Sequence, residues 1–574
     1  MPSPYRARVV GTQHMAVAGH YLAAQAALQI LEAGGNAIDA GCAGGIALGV
    51  LQSEFVSFGG VAPIMIRPAD SSEVVTITGL GHWPKAASLD VFLNEHDGHI
   101  PDGILCTVMP AAPDAWITAL ERYGTMGFAE VVAAAIRFAR DGFPVNALLN
   151  QMIADRAEGY SRWPASADIY LPGGKPPQLG ELFLQTDLGR TIQHMADEDT
   201  AAAAKGGREA GLKAARDAFY KGDIAAAMVE YHAENGGWMT AEDLADFSVE
   251  VLPASKTRFG DVDYYACGPW CQGPMVAQTL NILNGFDLKA MGHNEAAYIH
   301  TIVEALKLAY ADRHHYYGDP NFVDVPMEAL LSDEHAERRR KMIDAEKAAP
   351  GMPEPGSPAD LGVLAAGPAA EAAREEIVDG LDTSYVCAVD SQGNLFSSTP
   401  SDASSTSPVI PGLGFVPSSR GTQSWADPAM PACMAPGKRP RLTPNPAIAI
   451  RPGHWEMPFG TPGNDVQVQA MVQVLINIAV FDMVPQEAVE KPRFATVSFP
   501  RSSESHAYYP GRLHAESRIP ERTREALTAL GHEVHPWDHW EWKAGEVCAI
   551  KLDAKSGMME GAADPRRPSG IAGW

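Results

Sequence analysis

An Asp-Thr pair, Asp382 and Thr383, stands directly in front of a predicted strand in the stretch LDTSYVCAVDSQGNLFSST. The segment TSYVCAV is typical of a strand, DSQGN of a turn and LFSST of the return strand. A threonine at such a position can attack the carbonyl before it, shift the chain to an ester and let water release a new N-terminus. The freed α-amino group, with a reference pKa of about 7.7 to 8.0, can then take the proton of its own hydroxyl. The pair therefore indicates self-cleavage and nucleophilic catalysis, although an ordinary hairpin threonine has the same local sequence.

This chemistry needs an exposed approach to the scissile bond, and the residues from about 345 to 373 are predicted to supply one as a linker. Their sequence is rich in Ala, Pro and Gly, which bury little surface and interrupt periodic patterns. Cleavage before Thr383 gives a large subunit of residues 1–382, which carries the linker and a propeptide-like end. The small subunit, residues 383–574, then begins at the nucleophile.

A second candidate element is the start of a predicted helix in GTPGNDVQVQ, residues 460–469. Backbone N–H groups at a helix start have no partner within the helix and point outward. We predict that the N–H groups of Gly463 and Asn464 stabilise the oxyanion of a tetrahedral intermediate, an effect of about 3 to 4 kcal/mol per donor. Asp465, beside them, is interpreted either as a partner of the helix dipole, which we favour, or as a substrate contact.

Helices and strands alternate along the rest of the chain. Helical patterns occur at residues 23–33, twice within residues 111–143, and at residues 294–317. The long helix at 294–317 contains His314 and His315, and adjacent side chains diverge on a helix, which favours two surface histidines over a metal site.

The composition limits the function classes. With 46% hydrophobic and 20% charged residues, the chain has the profile of a soluble globular protein, and its net charge of −26 argues against nucleic acid and anionic membranes as partners. The first residues lack the pattern of a leader, and no apolar run of about 18 residues follows, so a cytoplasmic protein is predicted.

The seven cysteines are dispersed, and only Cys267 and Cys271 are close together. Their sequence, CGPWC, has neither a second ligand pair nor the spacing of a redox motif. We predict reduced packing cysteines, no metal and no cofactor.

Eight ordered segments of the chain resemble the gamma-glutamyltransferase family of N-terminal nucleophile hydrolases. They include AGHYLAAQAALQILEAGGNAIDA, GGWMTAEDLADFSVEV, LDTSYVCAVDSQGN, FGTPGNDVQVQAMVQVLINI and GAADPRRPSGIAGW. The resemblance implies an α+β fold, a four-layer αββα sandwich built from two subunits of one precursor. It also implies that Thr383 is the nucleophile and that Ser401, where threonine is usual, hydrogen-bonds to it; an ordinary loop serine is the alternative.

The chain departs from the family pattern at the substrate site. Residues 79–83 contain no arginine for a glutamyl α-carboxylate, and Gln423 and Ser424 stand where an acid for the α-ammonium is expected. The segments SSRGTQSW and RLTPNPA instead resemble a gamma-glutamyltransferase-like branch that includes amidohydrolases. We predict that Arg420 grips a substrate carboxylate and that Thr443 donates to it, and we leave open that Arg420 is a plain surface charge.

The leading hypothesis is an autoprocessed N-terminal threonine amidohydrolase that cleaves a small, carboxylated acyl amide through an acyl-enzyme. The alternatives are a gamma-glutamyltransferase or glutathione hydrolase, and a non-catalytic family member that acts as a binding or scaffold protein. The sequence leaves open whether the two subunits assemble into a higher homo-oligomer.

Overall fold

The computed structural model describes residues 5–357 and 382–574, with Asp382 and Thr383 joined in one uncut chain. The part of the predicted linker from residue 358 onward lies outside the described residues.

Sheet I contains the strand that follows Thr383. Its seven strands pair antiparallel throughout. Across the sheet they follow the order Gly570–Gly573, Met15–Ala18, Val386–Val389, Leu395–Ser398, Ile64–Arg67, Val75–Ile77 and Val251–Pro253. The strand after Thr383, Val386–Val389, therefore lies between Met15–Ala18 and Leu395–Ser398, and the C-terminal strand Gly570–Gly573 pairs with Met15–Ala18.

Sheet II also has seven strands with antiparallel pairing throughout. Their order is Val9–Gly11, Met559–Ala563, Cys548–Asp553, Trp455–Gly460, Ala447–Arg451, Val262–Ala266 and Ser255–Phe259. Two smaller sheets complete the strands: Phe494–Thr496, Arg512–Glu516 and Glu533–Trp537 in one, and Phe143–Pro144 with Leu182–Phe183 in the other.

Successive side chains of a strand point to opposite faces of its sheet. In both large sheets, the side chains on each face are buried in a hydrophobic core. The core between the two sheets includes Met15, Val17, Cys387, Val389, Ile448, Cys548 and Ile550. The other face of sheet I contributes Ala16, Val386, Ala388 and Phe396 to a core shared with helices. The other face of sheet II contributes Ala447, Met457, Phe459 and Ala549 to a second such core. Helices therefore cover the outer face of each sheet.

The helices divide between these two outer cores. Those on the side of sheet I are Tyr21–Glu32, Ala37–Leu51, Ala112–Tyr123, Phe128–Asp141, Ala147–Asp155, Ala157–Ser161, Pro164–Tyr170, Thr186–Gly206, Arg208–Tyr220, Asp223–Glu234 and Ala241–Asp246. The short helix Leu89–Glu95 packs instead in a separate small cluster with Trp83. Those on the side of sheet II are Gly273–Leu283, Leu288–Met291, Ala296–Tyr316, Met327–Leu330, Asp333–Arg340, Val466–Ala479, Pro485–Glu490 and Glu521–Ala529. Short 3₁₀ turns lie at Ile104–Cys106, Pro172–Gly174, Arg420–Gln423 and Trp542–Ala544.

The predicted hairpin is confirmed, with Val386 opposite Ser398 and Val389 opposite Leu395. Its turn is fixed by Asp390, whose carboxylate accepts the N–H groups of Gln392 and Asn394, both at 3.0 Å. The same carboxylate accepts the Ala37 N–H at 2.9 Å, at the start of a buried helix. The hairpin is thus tied to the helical layer as well as to its sheet.

The expectation of two surface histidines is wrong for His314, which is buried with its ring 5.2 Å from that of Trp425. The expectation for the cysteines is confirmed, since all seven are buried and unpaired. Among the described residues, no helix is both long and apolar enough to span a membrane.

Candidate active site

Thr383 is fully buried just before its strand in sheet I. Its N–H donates to the Phe55 carbonyl at 3.0 Å, and the next N–H, of Ser384, donates to the Pro400 carbonyl at 3.0 Å. These bonds hold the backbone of Thr383 at a φ of +92°. A β-branched residue seldom adopts a positive φ, because its Cβ crowds the backbone, so the surrounding structure imposes this conformation at a cost on the order of 1 to 3 kcal/mol. The strain lies at the bond that is predicted to be cut.

The Thr383 hydroxyl has two polar neighbours. Its Oγ1 lies 2.6 Å from the Ser401 Oγ and donates to the Asp382 Oδ1 at 2.9 Å. Ser401 is itself fully buried, on the segment after the return strand, and its backbone pairs with Val61. The structure thus brings together Thr383, Ser401 and Asp382, as the sequence analysis predicted for the nucleophile and its hydroxyl partner.

Arg420 contacts both of the polar neighbours of the Thr383 hydroxyl. Its guanidinium is 3% exposed and donates through Nη2 to the Asp382 Oδ2 at 2.6 Å and to the Ser401 hydroxyl. Its Nε is 3.3 Å from the Asp402 Oδ1. The alternative that Arg420 is a plain surface charge is therefore wrong, because the side chain is buried between two carboxylates.

Asp402 is a member of the site that the sequence analysis missed. Its carboxylate accepts the Ser418 hydroxyl at 2.9 Å and both the N–H and the hydroxyl of Ser419 at 3.0 Å. Burial raises the pKa of Asp402 to about 6, with Arg420 opposing the rise and Asp382 adding to it. The one signal in the sequence is its position directly after Ser401.

A cavity of about 730 Å³ opens above this group, and Asp382 and Arg420 form part of its wall. Gly463 and Asn464 line the same cavity, with φ values of +125° and +52°. The helix Val466–Ala479 begins directly after them. Within residues 5–357 and 382–574, neither N–H has a protein acceptor, so both are available as donors. The Asn464 carbonyl is fixed by the side-chain amide of Gln272 at 2.9 Å.

Asp465 also borders the cavity, but its carboxylate is already bound within the protein. It pairs with Arg313 and accepts the N–H and hydroxyl of Ser502 at 2.9 and 2.7 Å. Burial alone would raise the pKa of Asp465, and the Arg313 charge together with the Ser502 hydrogen bonds hold it below its ordinary value. These contacts favour a structural carboxylate at the helix start over a substrate contact.

Thr443 is fully buried and does not line the cavity. Its hydroxyl accepts from the side-chain amide of Gln423 at 2.7 Å, and its N–H donates to the same amide's oxygen at 3.1 Å. Gln423 also reaches the Ser503 hydroxyl, which does line the cavity, at 3.3 Å. The structure therefore places Thr443 one side chain away from the cavity.

The two segments where a glutamyl clamp was sought contact each other. The Trp83 indole N–H donates to the Ser424 hydroxyl at 3.0 Å, and the ring packs so closely on Gly421 that a Cβ there would lie 2.5 Å from it. Trp83 is fully buried. Apolar packing fills the space between the segments.

A second group of charged residues that the sequence analysis missed lies on the other side of Thr383. Arg567 points Nη1 toward the Thr383 carbonyl at 3.5 Å and packs over the Phe55 ring. Two carboxyl groups, Glu54 and Glu546, act on Arg567 electrostatically. Burial raises the pKa of each to about 8, and the Arg567 charge opposes that rise in both. Their sequence signal is weak, since they come from three distant segments.

One group of described residues has donor atoms spaced for a metal ion, namely His300, Glu304 and His532, with one ligand atom of each within 4.8 Å of the others. The two imidazoles hydrogen-bond to each other at 2.9 Å. The Lys307 ammonium, fully buried, binds Glu304 at 2.7 Å and so provides a cation already. This set fits a hydrogen-bonded cluster better than a metal site.

Comparison with known proteins matches the family model described as "Gamma-glutamyltranspeptidase" to residues 23–574. The chain is 32% identical to the "Acylase ACY 1 proenzyme" of Pseudomonas sp. (strain SE83), over 91% of this chain and 88% of the relative. It is 30% identical to the "Glutathione hydrolase-like YwrD proenzyme" of Bacillus subtilis (strain 168), over 98% and 99%. The solved cephalosporin acylase of Bacillus halodurans superposes with a TM-score of 0.84 at 27% identity, over 100% of this chain and 98% of that chain.

Proposed function

Since the chain belongs to the gamma-glutamyltranspeptidase family and is an enzyme of it, we propose that it is an autoprocessed N-terminal threonine amidohydrolase acting on a small carboxylated amide. The relatives described above are proenzymes, one named as an acylase and one as a glutathione hydrolase-like protein. The nucleophile, the site of the cut and the acyl group are the parts of the proposal that go beyond family membership.

The observation that carries the proposal is the environment of the Thr383 hydroxyl. Its Oγ1 lies between the Ser401 Oγ at 2.6 Å and the Asp382 carboxylate at 2.9 Å, on a residue whose φ is +92°. A nucleophilic hydroxyl needs a hydrogen-bond acceptor for its proton, and strain at the scissile peptide is released when the bond breaks.

The same geometry supports the proposed self-cleavage. The Asp382 carboxylate accepts the hydroxyl proton as the Thr383 Oγ1 bonds to the Asp382 carbonyl carbon. The C–N bond then breaks, the proton passes to the leaving nitrogen, and the chain becomes an ester with a free α-amino group. Water hydrolyses the ester to the Asp382 α-carboxylate and the Thr383 hydroxyl. The α-amino group that remains serves as the base in later turnovers.

Turnover of a substrate repeats the same bond changes. The hydroxyl attacks the amide carbonyl, the N–H groups of Gly463 and Asn464 stabilise the oxyanion, and the amine leaves with the proton held by the α-amino group. Water then releases the acid from the Thr383 ester. Ser401 orients the hydroxyl, through the 2.6 Å contact between the two oxygens.

Arg420 supports a carboxylated substrate. It is a buried guanidinium on the cavity wall that holds a carboxylate in the uncut chain. A gamma-glutamyl substrate would also bring an α-ammonium, which needs an acidic partner. In the segment where that acid is expected, Ser424 instead accepts a hydrogen bond from the buried Trp83. An unpaired buried charge is costly, so the geometry favours the amidohydrolase over glutathione hydrolysis.

The packing of helices on both outer sheet faces supports the four-layer αββα sandwich of N-terminal nucleophile hydrolases as the architecture. We propose residues 1–382 and 383–574 as its large and small subunits. Location in the cytoplasm and a higher homo-oligomer stay predictions.

The test compares wild type, Thr383→Ala and Thr383→Ser on a denaturing gel and by intact mass. Wild type should separate into pieces of 382 and 192 residues, Thr383→Ser should cleave slowly, and Thr383→Ala should stay whole and inactive because it has no nucleophile. A wild-type chain that stays intact and still hydrolyses amides would overturn the mechanism. A chain that neither cleaves nor hydrolyses would favour the non-catalytic alternative.

A further inference from the structure

In the uncut chain, one residue supplies both the carbonyl that is attacked and a carboxylate bound to Arg420. Asp382 contributes the carbonyl of the scissile bond, and its side-chain Oδ2 accepts from Arg420 at 2.6 Å. Its Oδ1 accepts from the Thr383 hydroxyl at 2.9 Å. The residue is only 6% exposed and lines the cavity.

We propose that Asp382 occupies, before cleavage, the site that the acyl group of the substrate occupies afterwards. The preferred acyl group is therefore a four-carbon dicarboxylic acid joined through one of its carboxyls as an amide. In such a succinyl-type group the free carboxylate is two carbons from the reacting carbonyl, as it is in an aspartyl residue. This inference rests on the proposed function, since it assumes that Thr383 forms the acyl-enzyme.

Self-cleavage and the hydrolysis of a succinyl amide pass through equivalent esters of Thr383. Self-cleavage passes through an ester in which the Thr383 Oγ1 is bonded to the Asp382 carbonyl carbon, with the Asp382 carboxylate two carbons away. An acyl-enzyme made from a succinyl amide has the same ester and the same spacing. In its formation the C–N bond breaks and the amine takes the proton; in its hydrolysis water adds and succinate leaves.

The charges support an exchange of one carboxylate for another. Arg420 lies between Asp382 and Asp402, and both contacts are short, at 2.6 and 3.3 Å. Asp402 is fixed by Ser418 and Ser419, so it stays when the end of the large subunit leaves. The vacated position then offers a buried guanidinium to an incoming carboxylate, which restores the arrangement of the uncut chain.

The spacing limits the chain length. One methylene fewer or more displaces the carboxylate by up to one carbon–carbon bond, about 1.5 Å, relative to a carbonyl that is fixed at Thr383. A contact of 2.6 Å stretched by that amount exceeds hydrogen-bond distance. Malonyl and glutaryl groups therefore leave Arg420 poorly paired, while the succinyl group reaches it.

The experiment measures kcat/KM of the processed wild-type enzyme for p-nitroanilides of malonic, succinic, glutaric and adipic acids. We expect a maximum at succinyl, roughly tenfold or more above both neighbours, and loss of that preference for the methyl ester of the succinyl substrate. Free succinate should inhibit competitively at lower concentration than malonate or glutarate, which needs no variant.

Arg420→Lys keeps a positive charge but loses the planar guanidinium with its several N–H donors. We expect this variant to show little dependence of kcat/KM on the length of the acyl chain. The matched control is Arg162→Lys, an exposed cation on the same cavity paired with Asp102 at 3.1 Å, which should keep the profile. If the enzyme cleaves itself and hydrolyses amides with a maximum at another length or for uncharged acyl groups, this inference is wrong and the proposed function stands. If no chain is cut and no amide is hydrolysed, both are wrong.

Discussion

The charged residues on the two sides of Thr383 differ in how closely they pair and in the pKa of their carboxyl groups. On the acyl side, which we define as Asp382, Asp402 and Arg420, the guanidinium lies within 2.6 and 3.3 Å of the two carboxylates. On the rear side, defined as Glu54, Glu546 and Arg567, burial raises the pKa of both carboxyl groups to about 8. The acyl side therefore pairs its guanidinium closely with carboxyl groups, whereas near neutral pH the rear side carries mainly the positive charge of Arg567.

The difference indicates that the two sides have separate roles, one in positioning Thr383 and one in binding a carboxylate beside it. The rear side keeps its carboxyls largely neutral and contacts only the Thr383 carbonyl, through Arg567, so its role is to position the strand. The acyl side consists of close contacts around Asp382, which leaves the site in the proposed self-cleavage, and this proposal assigns the acyl side the binding of an exchangeable carboxylate. The predictions below test this division.

The largest expected effect separates the two arginines. In the uncleaved Thr383→Ala chain, Arg420→Met leaves Asp382 and Asp402 as buried carboxylates without a counter-charge, which should cost about 3 to 5 kcal/mol of unfolding free energy. Arg567→Met removes a cation whose neighbours Glu54 and Glu546 are largely protonated, and its ionised neighbour Asp564 keeps Arg493 and Arg566 as partners. A loss of about 1 to 2 kcal/mol is therefore expected, chiefly from packing on aromatic rings. Denaturant unfolding at neutral pH measures both, and equal losses would contradict the division.

The second prediction concerns pH and the rear side. The ordinary pKa of a glutamate here is 4.5, and that of Glu54 or Glu546 in the folded chain is about 8. Between these values the folded state keeps a proton that the unfolded state has lost. The stability from each group is therefore complete below about pH 4.5 and is lost as the pH rises through 8, by about 1.4 kcal/mol for each unit by which the pKa is raised.

Glu54→Gln and Glu546→Gln, each in the Thr383→Ala chain, replace these groups by amides that do not titrate. The difference in unfolding free energy between parent and variant should shrink or change sign from pH 5 to pH 8, in favour of the variant. Glu121→Gln, at an exposed helix position, is the control and should run parallel to the parent. Parallel curves for all three variants would show that the rear carboxyls are ionised throughout.

The sequence indicated two of the three acyl-side residues, Asp382 and Arg420, and none of the rear side, for reasons of chain distance. Thr383, Ser401 and Arg420 fall within 38 residues of one another in a hairpin and the loop after it, where local patterns are informative. Glu54 and Arg567 come from opposite ends of the chain, which sheet I brings together because the strand Gly570–Gly573 pairs with Met15–Ala18, and Met15–Ala18 pairs with the hairpin. Such a contact has no local signal.

The same distance explains two other outcomes. The sequence left two roles for Asp465, as a partner of the helix dipole or as a substrate contact, because its ion-pair partner Arg313 is 152 residues away on another helix. His314 was expected at the surface because adjacent residues diverge, yet the helix Ala296–Tyr316 is buried on nearly all sides. Helix spacing identifies a buried face only when another face is exposed.

The third prediction compares two buried serines. Ser401 lies 2.6 Å from the nucleophile's oxygen, whereas the Ser384 hydroxyl, on the rear side of the strand, has no hydrogen-bond partner among the described residues. Ser401→Ala should lower kcat by roughly 10- to 100-fold, the loss of one hydrogen bond to a group that becomes charged. Ser384→Ala should stay within about twofold, and Ser401→Thr should recover most of the activity. Equal losses in the two alanine variants would assign Ser401 a packing role only.

The smallest expected effect tests whether a backbone or a side-chain donor of Asn464, beside the acyl side, stabilises the oxyanion. Asn464 has a φ of +52°, its N–H has no protein acceptor in the described part of the chain, and its side-chain amide donates to the Ser503 hydroxyl at 3.0 Å. Asn464→Gly keeps the N–H and suits this φ, and it loses only the side-chain bond, worth about 1 kcal/mol. We expect kcat to stay within about threefold. Asn464→Val keeps the same N–H but places a β-branched residue at a positive φ, so its larger loss of activity would trace to the geometry of the loop. If Asn464→Gly instead costs 10²- to 10³-fold, as removal of an oxyanion donor does, the donor is the side-chain amide, and the oxyanion lies on the Ser503 side of the cavity.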